Sequence, residues 1–176
     1  MNSPRRKTKK EFQIPRDGSL MHSPLILNRT SEKTKIDNKN NLRIIPLGGL
    51  EEIGRNMTVF EYGQDIIIVD MGLQFPDEDM PGVDYIIPDV EYLRGKEKNI
   101  RGVLITHGHY DHIGAIPHLM SKLGNPPIYT GDMTRGIIIK RQEDFKDNSP
   151  LIIKAVKKGD IIKLGDFDVE FFHVNH

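Results

Sequence analysis

From position 42 onward, apolar residues recur in short runs with the spacing of strands and helices, whereas residues 1–41 sustain no periodicity. Residues 42–47 read as a strand ended by Gly48 and Gly49. Residues 56–62 and 65–70 read as a hairpin turning at Gly63-Gln64. The run Ile66-Ile67-Ile68-Val69 is continuously apolar, the pattern of a strand buried on both faces. Residues 71–89 form a long acidic loop interrupted by Pro76, Pro81, Gly82 and Pro88, and loops of that length in compact domains are usually functional or mobile. A short helix is predicted over 89–94 and a strand over 101–106. Residues 112–123 then place Ile113, Ile116, Leu119, Met120 and Leu123 on one side of a helix. A short strand over 127–130 precedes a helix over 132–145 with Asp132 at its cap. Three strands follow, over 151–156, 161–164 and 167–176, with Gly159-Asp160 and Gly165-Asp166 at the turns. Strands, then strand–helix–strand–helix, then strands predict one mixed α/β domain over 42–176 with parallel and antiparallel pairs in its sheet.

Charge divides the chain at the same place. Residues 1–41 hold ten Lys/Arg and four Asp/Glu, a net of +6, and residues 42–176 hold fifteen and twenty-one, a net of −6. The formal neutrality of the whole therefore covers a basic tail on an acidic body. The tail reads as a solvated, disordered extension, with RNA contact through counterion release as the alternative. The absence of cysteine excludes disulfides, a thiol nucleophile and a cysteine-based zinc site, and fits a reducing, cytoplasmic setting. No apolar run approaches the roughly 20 residues of a membrane span. No signal-peptide core follows the basic start, since Pro15, Asp17, Gly18, His22 and Pro24 interrupt it.

The chemistry concentrates in Ile105-Thr106-His107-Gly108-His109-Tyr110-Asp111-His112-Ile113-Gly114, just past a predicted buried strand. Imidazole and carboxylate are the donors that hold zinc and similar divalent ions. His107 and His109, one residue apart on extended backbone, project to the same side and can share one ion. Asp111 and His112 follow the turn into a helix and can reach a second. Gly108 allows the tight backbone path, and Gly114 lets the helix start pack closely. A solvated polar loop is the competing reading, and this density of donors after a strand favours the metal. His118 reads as structural, His22 lies in the tail, and His173 reads as a strand or core residue. Asp77, Glu78, Asp79 and Asp84 read as a solvated acidic loop, with a structural Ca²⁺ or Mn²⁺ as the alternative.

T-H-x-H-x-D-H-I-G resembles the metal motif of the metallo-β-lactamase superfamily, a two-metal hydrolase fold. The stretch G-G-L-E-E-I-G-R-N-M over 48–57, with V-D-M-G-L-Q-F-P over 69–76 and G-V-D over 82–84, resembles the ribonuclease J family of its β-CASP nuclease branch. The resemblance covers residues 42–176 and implies the first half of an αββα sandwich. It implies that His107, His109 and the last residue, His176, hold one zinc, and that Asp111 and His112 hold another. It also implies that Asp70 supports the metal loop through hydrogen bonds. Tyr110 stands where the family commonly has Glu.

The implied activity is zinc-dependent hydrolysis of RNA phosphodiester bonds, exonucleolytic from the 5′ end and endonucleolytic, with Asp111 orienting the water or accepting its proton. The implied partner is RNA, and the complete family protein is expected to be a homo-oligomer. The family continues with a metal-bridging aspartate, a further histidine and the inserted β-CASP domain, none of which occurs in this sequence. The expectation is thus an N-terminal portion with one apolar sheet face exposed, marginally stable and inactive or nearly so by itself. Two alternatives are another hydrolase of the same fold, acting on a thioester or lactam, and a non-enzymatic RNA-binding fragment.

Overall fold

A computed structural model describes residues 41–174; residues 1–40 of the predicted tail, and His176, lie outside the described residues. Among the described residues, eight strands form a six-stranded sheet and a separate hairpin. Strands β1 (Arg43–Gly48), β2 (Met57–Tyr62) and β3 (Asp65–Val69) pair antiparallel. Strands β3, β4 (Ile100–Leu104), β5 (Ile128–Thr130) and β6 (Ile153–Ala155) continue in parallel, giving the mixed sheet that the element order predicts. Strands β7 (Ile161–Leu164) and β8 (Phe167–Glu170) form the separate hairpin.

Alternation along β3 explains why its apolar run is unbroken. Ile66 and Ile68 enter one core with Met57, Val59, Val103 and Ile128, while Ile67 turns to the other face beside Leu104 and Tyr129. Each isoleucine fully buried in this way contributes about 1.5–3 kcal/mol. The second face is not bare at its centre. Leu164 of β7, with Phe167 and Val169 of β8, covers Ile67, Leu104 and Tyr129, correcting the expectation of an exposed apolar face. Asp65 fastens this hairpin to the sheet, accepting the Asp166 N–H at 2.7 Å and pairing with Arg101. Gly165 at the turn has φ +63°, and a Cβ there would meet the Asp65 carboxylate at 2.1 Å, so only glycine fits.

The helix predicted over 112–123 is instead three short pieces: α1 (Tyr110–Ile113), α2 (Ile116–Leu119) and a 3-10 turn (Ser121–Leu123). Two backbone positions account for the break between α1 and α2. The Ala115 N–H goes to the Met71 carbonyl at 2.9 Å rather than into the helix, and Pro117 has no N–H to continue the ladder. The apolar positions remain buried because each piece still presents its side chains to the same core. The short helix predicted over 89–94 is a 3-10 turn over Glu91–Leu93. Helix α3 (Asp132–Gln142) begins after Gly131, with Asp132 in its first turn and no side-chain cap bond, so Asp132 is not the cap. The last predicted strand ends at Glu170, and His173 lies beyond it and exposed, neither strand nor core.

His118 in α2 is structural among the described residues. Its ring stacks on Tyr85 at 4.3 Å between centroids and meets the edge of Phe145 at 5.2 Å, joining the acidic loop to the helices. Burial, then the charges of Arg141 and Lys122, hold its pKa below the ordinary imidazole value. The unfolded chain therefore takes up this proton first. The contribution to stability is complete above about pH 6.5 and is lost as the pH falls toward the lower folded-state value. In metal-free protein, His118→Phe is expected to lessen the drop in denaturation midpoint on acidification below about pH 6.5. An unchanged drop would refute this account.

Candidate metal centre

The site forms where β4 runs out of the sheet. Ile105 is the last anchored residue: its N–H bonds to the Tyr129 carbonyl at 2.9 Å, and its carbonyl accepts from Thr130 Oγ1 at 3.0 Å. The chain then passes through Thr106 to His109, which is extended (ψ 151°), and turns into α1. His107 and His109 meet at one point, with His107 Nε2 and His109 Nδ1 3.1 Å apart. On the other side of the turn, His112 Nε2 lies 3.2 Å from Asp111 Oδ2. The His107 and His112 rings, 4.1 Å apart between centroids, bring the two pairs into one patch.

These spacings fit a divalent ion. Two nitrogens bound tetrahedrally at 2.0–2.1 Å lie about 3.3 Å from each other. Among the described residues the donors form two pairs, and no three gather on one point. His176, which the resemblance adds to the first pair, lies outside the described residues. Asp77, Glu78, Asp79 and Asp84 are all exposed, and no metal-holding group forms among them.

One buried carboxylate orients both pairs. Asp70, at the end of β3, takes the left-handed conformation (φ 62°) that Asp tolerates better than most residues. It accepts the Thr106 N–H at 2.8 Å and Thr106 Oγ1 at 2.9 Å, and lies 2.8 Å from His112 Nδ1. A carboxylate can only accept, so Nδ1 of His112 carries its hydrogen and the Nε2 lone pair faces Asp111. Thr106 Oγ1, donating to Asp70, can accept from His107 Nδ1 at 3.0 Å, which likewise leaves the His107 Nε2 lone pair facing His109. Burial disfavours charge on His112, but the Asp70 and Asp111 carboxylates outweigh it and hold its pKa above the ordinary value. Protons therefore compete with a metal ion for this ring.

Two contributors escape a reading of sequence spacing. Asn56 donates from Nδ2 to the Asp111 carbonyl at 3.0 Å and to Asp111 Oδ2 at 3.2 Å. The preceding loop presents it, with Gly49, Glu51, Gly54 and Arg55 at positive φ and Glu52 accepting the Gly49 N–H at 2.9 Å. Thr106 is the other. Both stand inside the motifs that carry the family resemblance, but no spacing rule assigns them partners 55 and 36 residues away.

Backbone contacts bind these parts together. The Met71 N–H reaches the His112 carbonyl at 2.8 Å, the Leu73 N–H the Tyr110 carbonyl at 3.2 Å, and the Gly72 N–H the Asn56 carbonyl at 2.9 Å. A Cβ on Gly72 would fall 1.6 Å from the Asp111 carbonyl oxygen, and one on Gly114 would fall 2.3 Å from Leu73 Cγ. The donors thus rest on a rigid three-layer crossing of backbone.

Comparison with known proteins gives a consistent outcome. The family model of the metallo-β-lactamase superfamily matches residues 50–173. Ribonuclease J of Mycobacterium tuberculosis (strain H37Rv) is 39% identical over 135 residues, covering 77% of this chain and 24% of that protein. Ribonuclease J of Helicobacter pylori (strain 26695) is 40% identical over 145 residues, covering 82% of this chain and 21% of that protein. The chain thus spans about a quarter or less of the length of these curated relatives. Among solved structures, a protein of unknown function from Enterococcus faecalis superposes with a TM-score of 0.58 at 22% identity, covering 77% of this chain and 38% of that one. The metallo-β-lactamase fold protein YhfI from Bacillus subtilis superposes with a TM-score of 0.50 at 19% identity, covering 78% and 55%.

Proposed function

This chain belongs to the metallo-β-lactamase superfamily, and we propose that its site serves zinc-dependent hydrolysis of RNA phosphodiester bonds, as exonuclease from the 5′ end and as endonuclease. The observation that carries the hydrolytic reading is the pair of donor pairs, His107 with His109 at 3.1 Å and Asp111 with His112 at 3.2 Å, meeting in one patch. The choice of RNA rests on the likeness to ribonucleases J.

His107 and His109, with His176, would hold one ion, and Asp111 with His112 a second. Bound divalent ions supply Lewis acidity toward a phosphodiester and make water acidic enough to react near neutral pH. The protein's own contribution is orientation. Asp70 and Thr106 fix which ring nitrogen of His107 and His112 carries a proton, so that the other is available. Asn56 fixes the Asp111 carboxylate, which positions the attacking water or accepts its proton. The same reading makes RNA the partner, the cytoplasm the location and a homo-oligomer the complete assembly. Among the described residues, no helix is long and apolar enough to cross a membrane.

Zinc titration of the 176-residue chain against a chromophoric chelator is expected to show binding that falls at least about tenfold in His107→Ala and in His112→Ala. Cleavage of 5′-phosphorylated RNA that disappears in His107→Ala would support the nuclease reading. Wild-type protein that takes up no zinc, or that opens a lactam or thioester and leaves RNA intact, would overturn it.

A further inference from the structure

Tyr110 stands between two donors of the candidate centre, His109 and Asp111, yet it contributes no donor to either pair. It is 44% exposed on the first turn of α1 and borders two open grooves. The Arg141 guanidinium carbon lies 4.4 Å from its ring centroid, and Arg141 is itself tied to the Gly114 carbonyl at 3.3 Å. Phe75, 65% exposed, lies nearly parallel to it at 24°, with 6.5 Å between centroids. That separation is at the long end for an aromatic pair, so the two rings do not close tightly on each other. Two exposed rings inclined at 24° to each other, one backed by a guanidinium, thus stand together at the edge of the site.

The grooves on either side differ in sign. The larger, about 650 Å³, is acidic away from the centre, lined by Glu51 and Asp77 with Glu52 paired to Arg55, and reaches the centre at Asp111. The other, about 450 Å³, presents Lys140 and Arg141 against Asp144. Lys140 pairs with Glu143 at the surface, but solvent screens an exposed pair of this kind, so a phosphate can take the place of the carboxylate. A single strand crossing the site would therefore run its phosphates along the Lys140–Arg141 side and turn its bases toward Tyr110 and Phe75.

We propose that Tyr110, backed by Arg141 and extended by Phe75, is a nucleobase-stacking platform that seats a base of single-stranded RNA next to the phosphate at the metal centre. The inference rests on the ribonuclease reading and adds a binding residue to it. Stacking on an aromatic face tolerates any base, so the platform grips RNA without selecting sequence.

The test uses the full chain with zinc and an oligoadenylate carrying one 2-aminopurine, beside a strand with an abasic residue in its place. Wild-type protein is expected to quench the 2-aminopurine on binding and to bind the abasic strand roughly tenfold more weakly. Tyr110→Leu, which keeps an apolar side chain but removes the π face, is expected to lose both the quenching and the tenfold preference. Tyr110→Trp is expected to keep them. Zinc affinity should be the same in all three proteins. RNA binding by the wild type that is unaltered in Tyr110→Leu overturns the platform and leaves the nuclease reading standing. Equal loss on both strands, or loss of zinc, makes Tyr110 structural and overturns it too. A surface for a protein partner would give the unaltered RNA binding. Wild-type protein that binds zinc but no RNA overturns both readings.

Discussion

Zinc affinity is expected to fall about 10- to 100-fold at both donor pairs when Asp70 is replaced by asparagine. Asparagine accepts the left-handed backbone at this position and can still accept the Thr106 N–H through its amide oxygen, so the fold should persist. What it loses is the second acceptor. An amide nitrogen cannot receive the hydrogen on His112 Nδ1, so the ring is driven to the other tautomer, with the hydrogen on Nε2, where an ion would bind. The Thr106 hydroxyl loses one of its two carboxylate oxygens at the same time, which loosens its hold on His107 Nδ1. One substitution should therefore weaken both pairs, although Asp70 is not itself a ligand. Asp70→Ala is expected to do the same and to cost about 3 kcal/mol of stability, from an unsatisfied buried N–H and an alanine in left-handed conformation. Competition with a chelator and urea denaturation read the two effects separately. Wild-type zinc affinity in Asp70→Asn would show that the carboxylate does not set the ring tautomers.

Gly72→Ala is expected to destabilise the domain by about 3 kcal/mol and to degrade zinc binding with it. Space causes this rather than backbone conformation, because Gly72 is not at positive φ. The added methyl would stand 1.6 Å from the Asp111 carbonyl oxygen and 2.8 Å from the Asn56 nitrogen, both of them backbone atoms. Relief requires the 110–112 segment to move away from 71–73, taking Asp111 and His112 with it. Gly136→Ala serves as the comparison. That glycine is exposed in α3, where an added methyl would meet nothing within 4 Å, and alanine there should stabilise by about 1 kcal/mol. Equal denaturation midpoints for Gly72→Ala and the wild type would refute the close crossing.

Much of the framework can be read along the chain. The strands from β1 to β7 fall within about two residues of their apolar runs, because alternation and glycine-bearing turns are local properties of backbone sterics. The continuous run at Ile66–Ile68 announces a central strand, since only a strand covered on both faces can leave no polar position. The His107–His112 spacing likewise announces donors grouped on one turn. The break at Ala115 is different in kind. Its N–H has two acceptors within reach, a helical carbonyl and that of Met71, and the choice depends on a segment more than forty residues earlier. Asp132 shows the same limit: a capping residue type one position late is a first-turn acid.

Residue order alone is enough to specify a mixed α/β domain with a dense group of imidazole and carboxylate donors at the end of a buried strand. Periodicity, turn residues and ligand spacing act over a few residues, and so they survive in one dimension. Folding in three dimensions is what lets Asp70 govern His112 directly and His107 through Thr106, and what brings Asn56 to Asp111. Folding also lays the β7–β8 hairpin over the second sheet face and stands Tyr110 against Phe75 and Arg141 between grooves of opposite sign. Those contacts join residues 31 to more than 90 positions apart. Their partners are chosen by how the packed layers bring backbone segments together, which no local spacing records.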